Sequence, residues 1–379
     1  MQVRQAISVA SAPAQAVREL HEALAGPDLA LVLFFCAPDY ATPEFAAEIA
    51  ACFGDVPVVG CTGAGEMGPG GYHDGAVVAV GLARPDFEAV TCLLLGEDEI
   101  ELASAEREID TLRARLNERI GDSDAQTARF ALMLTESGSR REEAMASLVG
   151  GALADMPLLG GSAGDSLTFE RSAVFCDGRF HGHGAVLVLV ATIRPIRTFR
   201  NQHFVASERR VVVTGADPRQ RLVTELDAEP AVECYARLVD LPVDELTPMI
   251  FATNPLVVRL GGAEYVRSIQ KANADGSLSF YSAIDEGLVL TLAEGRDLLH
   301  RTEDLFAALH GTIGEPEVVI GFECVLNRLE AERNQVKHRL SRLYAANKVV
   351  GFASFGEQWG SMHVNQTFTG IAIGRRAPA

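Results

Sequence analysis

The chain has 379 residues, of which 48% are hydrophobic and 22% charged, and a formal net charge of -18. That length supports two or three ordinary hydrophobic cores, and the composition excludes a disordered or fibrous chain. The acidic balance repels nucleic acid and anionic lipid headgroups, which removes both as partners unless a local basic patch intervenes.

Along the chain, the opening stretch "MQVRQAISVASAPAQAVRELHEALAG" holds no apolar run of signal-peptide length. No later segment reaches the roughly 20 apolar residues of a spanning helix, so a cytoplasmic protein without membrane insertion is expected. From residue 30 a repeat takes over. "ALVLFF" (30–35), "VPVVGCTGAGE" (56–66) and "GAVVAVGL" (75–82) return as "FALMLT" (130–135), "MPLLGGSAGD" (156–165) and "GAVLVLVA" (184–191). They return again as "VVIGFECV" (318–325), "VVGFASFGE" (349–357) and "TFTGIAIG" (367–374). Each copy reads as strand, helix, strand, glycine loop, strand. The continuous Val/Ala/Leu/Ile runs predict sheets covered on both faces.

The helices have their own signatures. "PEFAAEIAACF" opens with Pro43, and "REEAMASLVGGALAD" follows the second copy's first strand. "EIELASAEREIDTLRARLNERIG" is an amphipathic connector with a solvated charged face. "LNRLEAERNQVKHRLSRLYAANK" places Leu326, Leu329, Val336, Leu340 and Leu343 on one stripe, which predicts a single long helix. Between the second and third copies the texture changes. "RRVVVTGADPRQRLVTELD" reads as strands with a turn, and "EPAVECYARLVDL" as a helix. "EYVRSIQKANADGSLSFYSAIDEGLVLTLAEG" reads as a meander with a hairpin turn at Asp275-Gly276. "RDLLHRTEDLFAALHGTIG" is the helix leading back to the third copy. The fold class is α/β, with mixed sheets flanked by helices, divided into 1–200 and 201–379.

Three motifs carry chemistry on paper only. Gly63, Gly65 and Gly68 spell the dinucleotide fingerprint, which needs a following helix; "GPGGYHDG" forbids one. Gly160, Ser162 and Gly164 spell a nucleophile elbow, but "DSLTFERSAVF" has no helical period, and Thr62 holds the matching place in the first copy. Catalysis is not expected. The seven cysteines are scattered with no C-x-x-C or C-x-x-C-H, which points to reduced thiols and against a zinc knuckle or covalent haem. A glycine followed by an acid recurs at Gly65-Glu66, Gly164-Asp165 and Gly356-Glu357, a tight strand exit in which the acid orients a neighbouring loop. Only the third copy adds Gln358, Trp359, His363, Asn365 and Thr367 in quick succession, a density that suggests a pocket.

The segments "VPVVGCTGAGE", "MPLLGGSAGD", "VVVTGADPRQRLVTELDAEPA", "VVGFASFGEQ" and "HVNQTF" resemble FIST domains, N-terminal and C-terminal parts together, over nearly the whole chain. "TFRNQHFVAS", "YVRSIQKANADGSLSFYSAIDEGLVLTLAEG" and "GFASFGEQWGSMHVNQTFTGIAIG" narrow the resemblance to the nitric-oxide-sensing members called NosP. The resemblance implies a non-catalytic receptor that binds haem b noncovalently, senses nitric oxide, and regulates a histidine kinase, another two-component protein or a cyclic-dinucleotide enzyme. A homo-oligomer is left open. Haem needs an axial ligand, an apolar pocket and partners for its propionates. His203 and His363 are the two candidate iron ligands, with His181, His183 and His73 behind them. Arg194, Arg197 and Arg200 are within reach of propionates, and Glu357, Gln358, Trp359, Asn365 and Thr367 would line the site. The alternative implied is a FIST-type receptor for another small ligand, such as an amino acid, whose polar groups Glu357, His363, Asn365 and Thr367 contact directly.

Overall fold

The computed structural model describes residues 2–26, 28–94, 102–121, 127–138, 141–153, 155–165 and 171–376. Three units of one design make up most of it. In the first, strand Val3–Ser8 and helix Pro13–Leu24 precede strand Leu29–Cys36, helix Pro43–Phe53 and strand Val58–Thr62; a hairpin, Glu66–Gly68 with Gly71–His73, leads to strand Val77–Ala83. The second unit repeats the order from Phe87–Leu94 to Ala185–Thr192, and the third from Ile196–Asn201 to Phe368–Gly374. The strand-helix-strand step in each unit crosses over, so Leu29–Cys36 and Val58–Thr62 pair in parallel, as do Pro316–Cys324 and Val349–Ser354, while the returning strand runs antiparallel.

Each unit gives its hairpin away. The first unit's hairpin extends the third unit's sheet (Gly351↔Met67), the second's extends the first (Val174↔Cys61), and the third's extends the second (Glu357↔Gly161). Three six-stranded sheets of equivalent order result, closed in a ring by exchange. Their inner faces share one core: Phe35 of the first unit stacks on Phe352 of the third at 4.9 Å and meets Phe322 edge-on at 6.1 Å, and Leu132 and Leu159 of the second join them. The unit helices cover the outer faces with separate cores. Strands buried on both faces therefore carry the unbroken apolar runs seen in sequence.

Two expectations change in detail. The stretch 326–348 is two helices, Val325–Arg333 and Lys337–Ala346. Val336 N–H reaches Ala331 O at 2.9 Å with Gln335 at φ +58, a Schellman closure in which glutamine occupies the place glycine usually holds. The leucine stripe is consequently divided, Leu326 and Leu329 joining one core and Val336, Leu340 and Leu343 another. The segment of different texture also lies inside the third unit rather than before it. It begins after strand Ile196–Asn201 and runs from Phe204 to Gly295 as an antiparallel sheet with its own core and two helices, Ala231–Leu238 and Pro248–Thr253. The chain passes into it just after residue 200. Asp275-Gly276 makes the predicted hairpin, between Ile269–Ala272 and Leu278–Phe280, with Gly276 at φ +84. No helix among the described residues is long and apolar enough to cross a membrane.

Candidate functional site

Hairpin exchange creates three equivalent junctions, and comparing them locates the site. Tyr72, Phe180 and His363 hold the same hairpin position, opposite Met67, Phe175 and Gln358. Phe180 packs against Phe34, Phe45 and Phe175 with ring centroids 5.0 to 6.2 Å apart, an apolar and complete junction. Tyr72 donates its hydroxyl to Glu323, whose other oxygen accepts from Tyr344 at 2.7 Å, and the neighbouring Asp74 pairs with Arg328. That junction is polar and its Tyr72 and Asp74 contacts are made, with Glu66 Oε1 the hairpin's one buried side-chain atom left without a partner.

The third junction is neither apolar nor satisfied. His363, with 2% of its surface exposed, has no hydrogen-bond partner on either ring nitrogen. Asn365, at the place of Asp74, has none on its amide oxygen or nitrogen. Arg267 Nε, Arg221 Nε and Ser282 Oγ are likewise buried without partners. Native proteins leave few such groups, because each one costs its lost hydration, so a cluster calls for a reason.

The surrounding bonds fix the geometry. Glu357 accepts Ser354 Oγ at 2.6 Å with one oxygen and Thr367 N–H and Oγ1 with the other, and burial pushes its carboxyl up to about 8. In the first unit Glu66 accepts Ala76 N–H at 3.3 Å, and its carboxyl is also pushed up to about 8 by burial. In the first and third units the glycine-acid loop therefore holds the hairpin onto its return strand, whereas Asp165 of the second accepts Arg171 N–H at 3.1 Å ahead of its hairpin. Gln358 Nε2 reaches Thr135 Oγ1 and Ser162 Oγ, both at 3.3 Å. The His363 ring lies where a methyl on Gly356 would stand, with Asn365 Nδ2 beside it.

The 204–295 segment and the second unit close the far side. Arg221, held at φ +54, makes an ion pair with Glu142 and, at 2.7 Å, with Glu143, both in the first turn of helix Glu142–Ala152. Glu143 also accepts Ala283 N–H at 2.9 Å. Burial pushes Glu142 up to about 7 against the pull of Arg221. Burial likewise pushes His363 down to about 4; Glu143 opposes this, and Arg221 and Arg267 reinforce it, so the imidazole is neutral at pH 7. Arg267 Nη1 reaches Val266 O at 3.2 Å and His363 O at 3.5 Å. Gln366, at φ +48, pins the hairpin to this segment through Ala252 O and Ser268 Oγ. A cleft of about 610 Å³ opens on the Arg221 side; Glu142, Arg221, Lys271, Asn273, Tyr281 and Phe355 are among its walls, whereas His363, Asn365 and Arg267 are not.

The predicted site residues divide. His363, Asn365, Gln358, Glu357 and Thr367 converge on the junction, the last two as its braces. Trp359 packs half-buried against the shared core. His203 lies elsewhere: its Nε2 bonds Glu330 at 2.8 Å and its ring stacks on Phe204. Arg194 pairs with Asp86 and Glu317, Arg200 lies over the Tyr265 ring at 4.5 Å, and Arg197 is exposed. His73 and His181 bond backbone carbonyls of their own hairpins. Ser162 is fully buried and bonded to Thr135 Oγ1 at 3.0 Å, in no position to attack a substrate. Sequence reasoning missed Glu142, Glu143, Arg221, Arg267 and Ser282. Their signal was faint, Arg267 being the last residue of a strand that already carries the charge of Glu264.

The residues fit a small polar molecule better than a porphyrin. A haem slot is walled by apolar side chains, whereas this cleft is walled mainly by charged, amide and hydroxyl side chains, and His203 already spends its outer nitrogen on a carboxylate. Among the described residues, no three His, Cys, Asp or Glu side chains gather as metal ligands. A family model described as the FIST N domain matches residues 30–229, and one described as the FIST C domain matches residues 231–359. No curated protein matches the chain.

Proposed function

The chain belongs to the FIST family, whose domains are sensory modules of signal transduction, and we propose that it is a receptor whose third junction takes a small polar ligand and reports its presence to a signalling protein. The observation that carries this reading is the cluster of unpartnered buried polar atoms on His363, Asn365, Arg267 and Ser282. Each is a hydrogen bond that folding leaves unmade and a ligand could make. An amino acid is a natural class, since it brings both donors and acceptors into a polar cleft. The 204–295 segment meets the second unit through Arg221 and the third through Gln366, so a ligand bound between them would draw three parts of the chain together. A partner such as a histidine kinase would read that change at the surface.

The second reading is the haem-bound nitric-oxide sensor of the NosP type. One observation favours it: His363 is a neutral imidazole with both nitrogens unpartnered. Calorimetric titration of the purified chain with amino acids, alongside hemin titration followed by absorbance, separates the readings. A colourless protein that binds a polar ligand, and loses it in His363→Leu, supports the first. A Soret band that shifts in His363→Ala but not in His203→Ala supports the second and overturns the first.

A further inference from the structure

Four arginines are buried among the described residues: Arg194, Arg221, Arg267 and Arg328. Three of them meet acids, Arg194 with Asp86 and Glu317, Arg221 with Glu142 and Glu143, and Arg328 with Asp74. Arg267 meets none. It is the last residue of strand Ala263–Arg267, 8% exposed, and it donates to two backbone carbonyls. A guanidinium keeps its charge at any pH a protein survives, and a buried charge without a counter-charge is strongly disfavoured. The same protein avoids that cost at three other positions, so the exception asks for a missing anion.

We propose that Arg267, with His363 and Asn365 beside it, is an anion subsite built for the single carboxylate of a small polar ligand. The inference rests on the receptor reading above and names the ligand's chemistry. Arg267 makes no ion pair of its own: Glu143, the acid whose charge acts on it, is already paired with Arg221, so one further negative charge fits there and Glu142 and Glu143 would repel a dianion. The guanidinium presents a planar fork that matches a carboxylate in two parallel hydrogen bonds. Asn365 Nδ2 and one His363 N–H add donors to the same side. The remaining unpartnered acceptors, Asn365 Oδ1 and the second ring nitrogen, require that the ligand also carry a hydroxyl or amino donor.

The test uses the full chain and isothermal calorimetry with the twenty L-amino acids, lactate, inorganic phosphate, and the amides of whichever acids bind. At least one carboxylate is expected to bind, its amide at least thirtyfold more weakly. Arg267→Met should lose at least a hundredfold in affinity and Arg267→Lys about tenfold, a point charge replacing a fork. The ligand-free melting temperature of Arg267→Met should equal or exceed the parent's, because that substitution removes an unpaired buried charge. The proposal is overturned if acid and amide bind alike, if phosphate binds more tightly than every carboxylate, if Arg267→Met binds as the parent does, or if it melts several degrees lower. Binding in which the amide matches or exceeds its acid, abolished in His363→Leu, sinks the anion subsite and leaves the receptor reading standing. A parent chain that binds none of these probes sinks both.

Discussion

Asn365→Leu turns the polar-cluster argument into a stability measurement. The Asn365 side chain is buried, with 1% exposure, and neither Oδ1 nor Nδ2 has a partner. Leaving a buried donor or acceptor unsatisfied costs about 1–3 kcal/mol. Leucine has the same branching and no polar atom but is larger, so relief of two unsatisfied groups, about 2–6 kcal/mol, is reduced by overpacking against Gly356 and the His363 ring, about 1–3 kcal/mol. Net stabilisation of the ligand-free chain by about 1–3 kcal/mol is expected, together with loss of ligand binding, the usual opposition between stability and a site. Asn347 is the control. It is equally buried, but its Oδ1 accepts His310 Nε2 at 2.7 Å and its Nδ2 donates to Leu343 O at 2.8 Å, so Asn347→Leu should lose about 1–3 kcal/mol. Urea unfolding at pH 7 with equal slopes for parent and variants measures both. An Asn365→Leu chain less stable than the parent by more than about 1 kcal/mol would show that the amide has a structural role and would refute the reasoning.

Three further outcomes follow from the same contacts. Arg221→Met leaves the buried Glu142 without its counter-charge and frees the 204–295 segment from the second unit; a loss of about 3–5 kcal/mol is expected in urea unfolding, and Glu142→Gln should cost less, because burial already holds that carboxyl near 7. Glu66 and Glu357 keep their protons up to about pH 8 in the folded chain against an ordinary 4.5, so unfolding between those values releases protons and stability falls as pH rises, by about 1.4 kcal/mol per unit for each group. Unfolding at pH 5, 6, 7 and 8 should show that decline, and Glu66→Gln should flatten it; an unchanged slope counts against a protonated Glu66. Ser162→Ala should cost about 1 kcal/mol through its bonds to Thr135 and Gln358, with hydrolysis of generic esters absent from parent and variant alike, whereas parent activity lost in the variant would revive the nucleophile.

The repeat was legible because backbone demands leave marks on sequence. Strands covered on both faces must be apolar throughout, and the glycine-acid exits must admit a sharp turn and hold a hairpin; both signs recur three times. The density of polar residues after Gly356 likewise falls on the hairpin that carries the unpartnered His363 and Asn365. The helix break at Gln335 left no mark, since neither glycine nor proline makes it. His203 looked as eligible as His363, because sequence does not show that Glu330, 127 positions away, already holds its ring.

What the sequence determined alone is the unit's elements: its strands, helices, hairpin and the acid after its glycine, each set by an apolar run, a period or a turn signal local to it. Tertiary structure decided how the units trade hairpins, and thereby which of three equivalent positions stays unsatisfied. Tyr72, Phe180 and His363 differ in what the neighbouring unit brings to them, and that neighbour is chosen by sheet pairing across 100 residues or more. The arginines that complete the third junction arrive from the segment inserted after the first strand of unit three, so nothing local to the hairpin could announce them.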